Sequence, residues 1–113
     1  MRILQTVLLS FLLVIAIYTL LVVQSHGMNL FPVFFGDLLA MTWRGQFNLD
    51  FMCFLALSAL WVMWRNGFSK SGLALGILAF FGGMLFLSIY LLLLMQRPGA
   101  SLTSLLLGVH HTK

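Results

Sequence analysis

Three long apolar runs, each closed by a polar cluster, lay out the chain. The first, residues 3–23, follows Arg2 and holds no charged side chain. At 1.5 Å rise per residue it reaches about 31 Å as a helix, enough for a hydrocarbon core of about 30 Å. It is longer than the apolar part of a cleaved signal peptide and ends in VVQSHG rather than at small residues, so it reads as a retained span. The second run, 47–64, reaches about 27 Å and is framed by aromatics, Trp43 and Phe47 at one end and Trp61 and Trp64 at the other. The third, 73–95, reaches about 34 Å. The short basic connection RNGFSKSG, Arg65 to Gly72, makes an antiparallel hairpin of the second and third runs.

Gln24, Ser25, His26, Gly27 and Asn29 separate the first run from a shorter pattern, in which Phe31, Phe34, Phe35, Leu38, Leu39 and Thr42 recur at intervals of three and four. Pro32 suits the first turn of a helix there. The segment, 31–43, is too short to cross a bilayer and predicts an interfacial or re-entrant helix. Asp37 and Arg44 stand two turns apart and can share one side of it. The third run carries Gly72, Gly76, Ala79 and Gly83 at steps of four, three and four, a small-residue face suited to close helix packing. Gly82, off that face, is expected to mark a local bend. Gln96, Arg97, Pro98 and Gly99 stop the helix. The tail, 96–113, contains SLLLGV, too short to span, and is expected on the surface or docked on a partner. The pattern predicts an all-α integral membrane protein of one domain, 1–113, with three transmembrane helices and a short interfacial or re-entrant helix between the first and second.

Composition agrees. Hydrophobic residues are 62% of the chain and charged residues 7%, with a mean hydropathy of +1.10. A soluble domain carries about 25% charged residues to cover its core. The net charge of +4 comes from six cations scattered singly, at Arg2, Arg44, Arg65, Lys70, Arg97 and Lys113. No basic run exists, which speaks against a nucleic-acid surface. Arg2, Arg65 and Lys70 fall on one side of the membrane, and Arg44 and Arg97 on the other, with Lys113 farther from the bilayer. Three cations against two place the N-terminus in the cytoplasm and the C-terminus outside.

Few residues have chemistry to offer. Asp50 is the only acid inside an apolar run. A helix starting near Asn48 would put Asp50 in its first turn, where the free amide groups favour a carboxylate. Intramembrane acids otherwise serve a site or an ion path. Phe54, Leu57, Trp61 and Trp64 follow Asp50 along one helix face and would line an aromatic groove suited to an apolar ligand with one polar group, or to another helix. Asp37 and Arg44 can pair with each other or with Asp50. His26 would share a side with His110 and His111 in this topology, but a zinc site needs three or four converging ligands, and no metal or cofactor is assigned. Cys53 reads as core packing, and no histidine stands at a helical interval from it to support nucleophilic chemistry. Tyr18 and Tyr90 are expected to donate interhelical hydrogen bonds.

The stretch NLDFMCFLALSALWVMWR, Asn48 to Arg65, followed by a span with Gly82, Gly83 and Tyr90, resembles small bacterial membrane proteins grouped as domains of unknown function. Their shared feature is an acid opening a span that closes on W-V-x-W-[RK]. The resemblance implies a bacterial inner-membrane location and a compact helical bundle, and brings no established activity. Some such families are likened to membrane terpene cyclases, which protonate apolar substrates with acids; this chain has two acids and about half the spans. The leading expectation is a non-enzymatic small subunit or accessory factor of a larger membrane assembly, with a membrane-protein partner or a second copy of itself. The alternative is a lipid- or isoprenoid-binding protein or enzyme using Asp50, Arg44 and the Trp61–Trp64 groove. An ion path ranks last, since only Ser58, Ser88 and Tyr90 are polar near the midplane.

Overall fold

A computed structural model describes residues 1–111; the last two residues of the tail lie outside it. Among the described residues the chain forms α1 (Arg2–His26), α2 (Phe31–Leu39), α3 (Trp43–Arg65), α4 (Lys70–Met95) and α5 (Leu102–Leu107), then a 3-10 turn at Gly108–His110, with no strand. By length and composition α1, α3 and α4 can each cross a membrane.

α1 satisfies two of its hydroxyls within itself. Thr6 Oγ1 donates to the Arg2 carbonyl at 3.0 Å and Ser10 Oγ to Thr6 at 2.9 Å. An apolar solvent demands this of any hydroxyl it surrounds. Tyr18, 70% exposed, donates to no described residue, unlike the interhelical bond expected of it.

α2 and α3 make a tight corner. α2 ends at Leu39 and Met41 takes φ 57, so Asp37 and Arg44 belong to different helices rather than to one. α2 lies against the start of α3: Gly45 is buried beside the Asp37 carbonyl, and Asn48 Nδ2 donates to the Phe34 carbonyl at 3.2 Å. α3 therefore begins at Trp43, a turn before the apolar run does.

α4 packs against α3 on one side and α1 on the other. Its small residues seat it on α3 of its own chain: Gly72 beside Asn66, Gly76 beside Ala59 and Met63, and Gly83 beside Phe51 and Leu55. Val62 and Ala79 are fully enclosed. From the sequence, 73–95 reads as one rod with a bend at Gly82. The break falls one residue on, at Gly83, with φ 58 and ψ −142, a conformation open to glycine and costly with a side chain. The chain there folds back. Tyr90, about two turns past the break, is hydrogen-bonded to Arg65 and Asn66, beside the start of α4. A straight helix would hold Lys70 and Tyr90 about 30 Å apart. Both ends of α4 consequently lie at the Arg65 end of the bundle. There Leu94 and Met95 pack with Leu8 of α1 and Leu105 of α5.

Candidate functional site

The densest polar arrangement sits where α3 ends and the tail docks. α5 opens on a capping box: Ser104 N donates to Ser101 Oγ at 3.1 Å, and Ser101 N to Ser104 Oγ at 2.8 Å. A helix this short leaves its last carbonyls without partners of its own. α3 supplies them. Arg65 Nη2 donates to the Ser104 carbonyl at 3.2 Å, Arg65 Nε to Leu105 at 2.8 Å, and Trp61 Nε1 to Leu106 at 3.1 Å. The remaining side of the guanidinium reaches Tyr90, Nη1 donating to its hydroxyl at 2.7 Å, and Asn66 Nδ2 donates to the same oxygen at 3.0 Å. Tyr90 therefore accepts two bonds where it was expected to donate one.

Arg65 is only 7% exposed. No carboxylate pairs with it among the described residues; its compensation is the negative end of α5 and the faces of Trp61 and Tyr90, 5.9 and 5.6 Å from its carbon. The approach is close enough to require Gly108, which has φ 56 and whose missing side chain would overlap the Arg65 carbonyl. His110 completes the seam, its ring stacked on Trp64 at 4.3 Å and its Nε2 2.9 Å from the Trp64 carbonyl.

The residues singled out from the sequence are thereby separated. Trp61 and Trp64 are in contact with the chain's own tail, Trp64 remaining 39% exposed. Arg44 and Asp37 meet at the opposite end as an ion pair of 3.8 Å, with the Arg44 side chain 77% exposed; such pairs contribute little to stability. Asp50 joins neither group. Since α3 starts at Trp43, with Thr42 as N-cap and Asn48 engaged with Phe34, Asp50 lies about two turns inside the helix rather than in its first turn. It is exposed, with Phe47, Phe54 and Leu57 exposed on the same face, and has no hydrogen bond or ion pair among the described residues. Cys53, expected in the core, is also exposed there. His26, at the far end of α1, stands apart from His110 and His111, and no described group of three metal-ligating residues converges. The small-residue face Gly72, Gly76, Ala79 and Gly83 is used within the chain, against α3.

The class defined by these observations is an all-helical protein with three helices apolar and long enough for a membrane, its tail latched by a buried arginine. No family model, curated protein or solved structure matches the chain.

Proposed function

We propose that this chain is a small subunit or accessory factor of a larger membrane assembly, held in a bacterial cytoplasmic membrane with its N-terminus in the cytoplasm. The observation that carries the reading is Asp50, an exposed carboxylate without a partner on the apolar face of α3. An acid facing lipid near the middle of a span costs a few kcal/mol, and such residues ordinarily face a bundle interior and pair. The occupant this chemistry fits is a transmembrane helix of another protein that presents a cation or hydrogen-bond donor at that depth. The break at Gly83 lies at the same level, because it touches Phe51, the neighbour of Asp50, and Gly82 is exposed beside it. Irregular backbone at membrane depth is tolerated where protein covers it. The orientation is supported by charge: Arg2, Arg65, Lys70 and Arg97 gather at one end of the bundle, while Arg44 stands at the other. The isoprenoid alternative draws less support from the geometry, because the tail docks on both indoles at one end of the groove.

Cys53, the single cysteine, sits one turn from Asp50 and is exposed, so it carries a probe without further engineering. A benzophenone maleimide attached to Cys53 in native membranes and illuminated is expected to give one discrete protein adduct. Its yield should fall about tenfold or more in Asp50→Asn, where one charged contact is lost. Adducts with lipid or an isoprenoid alone, or a protein adduct indifferent to Asp50→Asn, would reject the subunit reading.

A further inference from the structure

A cleft of about 660 Å³ opens between the end of α4 and the docked tail, lined by Arg65, Asn66, Arg97, Ser104 and His111 together with apolar residues. No carboxylate among the described residues lines it. Arg65 forms part of its floor. Its guanidinium carries five N–H groups, of which three are directed to Tyr90 and the α5 carbonyls. Arg97 follows α4 directly, is exposed, and its guanidinium has no hydrogen bond or ion pair among the described residues. Two cations thus share a concave site in which no described residue is an acid, one held by the fold and one exposed at the rim. His111 adds a polar group to the same wall, whereas the Asn66 amide N–H groups are taken by Val62 and Tyr90. Planar guanidinium groups match the oxygens of a phosphate, often two at a time. The cleft also lies at the depth of Trp61 and Trp64, the aromatic level at which phospholipid head groups sit.

We infer that this cleft binds a phosphate group, with Arg97 closing on an anion that Arg65 helps to hold. A phospholipid head group and a free phosphate present the same oxygens, and the volume admits either.

The test uses the full-length protein in mild detergent, comparing wild type with Arg97→Gln, Arg97→Lys and Arg44→Gln. The last removes an equal charge at the opposite end of the bundle. Phosphatidylglycerol is titrated by native mass spectrometry and inorganic phosphate by calorimetry, with helix content checked by circular dichroism. Arg97→Gln is expected to weaken binding of one probe about tenfold, the loss of one charge-assisted contact, with partial recovery in Arg97→Lys and less than about twofold change in Arg44→Gln. An effect on phosphatidylglycerol identifies the lipid as the source; an effect on inorganic phosphate alone identifies a soluble phosphate. If neither probe responds to Arg97→Gln, or if Arg44→Gln loses as much, the site does not exist as described.

Discussion

Replacing Arg65 by lysine keeps the charge and removes the fork. The guanidinium donates in three directions, to Leu105, Ser104 and Tyr90. A lysine ammonium is a point donor and, from the same backbone position, replaces one of these bonds. Two charge-assisted bonds are then lost. At about 1.5 kcal/mol each, the low end for a charged donor, the loss is about 3 kcal/mol. The exposed alternative is not neutral either, since the Leu105 carbonyl stands in the last turn of a short helix, where carbonyls lack intrahelical partners, while the Ser104 carbonyl also accepts from Gly108 N–H. With the ammonium keeping Tyr90, both lost bonds are those to the tail, and the energy falls on tail docking rather than on the whole fold, because α3 and the first half of α4 hold each other through Val62, Ala79, Gly72 and Gly76. A loss of 3 kcal/mol is a change of about 150-fold in the docking equilibrium. Hydrogen exchange read by mass spectrometry on a peptide from residues 100–110, in micelles, is expected to accelerate about 100-fold in Arg65→Lys. Peptides from α1 serve as the unchanged reference. Tail exchange within about threefold of wild type, with helix content intact, would show that the tail is held by its apolar contacts and that the carbonyl–guanidinium seam is incidental.

Gly108→Ala attacks the same seam from the other side. It places a methyl group against the Arg65 carbonyl and a side chain at φ 56, and should release the tail with a cost of about 1–3 kcal/mol, read by the same exchange measurement. The reversal of α4 at Gly83 carries a topological consequence: the N- and C-termini belong to one side of the membrane. A fluorescent protein fused to the C-terminus should be bright in the cytoplasm and a periplasmic phosphatase fused there inactive; the opposite pair of results would mean that α4 runs straight through.

What was legible in the sequence was the solvent. An uncharged run ended by Gly27, a second framed by tryptophans and a third rich in small residues announce helices for lipid, and the small-residue face does meet a helix. What was not legible follows from the same solvent. Hydropathy marks where a helix is apolar, not where its backbone begins, so α3 starts a turn early among Trp43, Arg44 and Gln46. α4 is equally apolar on both sides of Gly83, and a hairpin and a rod of that composition bury themselves in lipid alike; only the glycine pair hinted at a bend. In the sequence Arg65 is one of six single cations, because its partners are mostly backbone carbonyls, which every residue carries and no pattern advertises. The one signal the sequence does carry is Ser101, Ser104 and Gly108, which bracket a capped single helix whose free end suits a cation.

The contrast between the two polar centres is the strongest argument for a partner. At the Arg65 end the chain uses a guanidinium, an indole, an amide and a phenol to satisfy one another and the carbonyls of a six-residue helix. A chain able to close that site internally leaves Asp50 open, about one turn from the middle of α3. A carboxylate there opposes insertion by up to about 2.5–3.5 kcal/mol, the cost at a helix centre and a large share of what three loosely packed helices gain from each other. Met52, Cys53 and Phe54 around it provide no donor, and α1, which packs on α4, does not reach it with a polar group. If a partner's donor recovers even half of that cost, association strengthens about tenfold over an apolar contact of the same area. Asp50→Leu therefore separates two roles that Asp50→Asn does not: it should raise the stability of the isolated chain while weakening its retention in the assembly. A leucine variant that is more stable and equally well retained would mean that the carboxylate has no partner to meet.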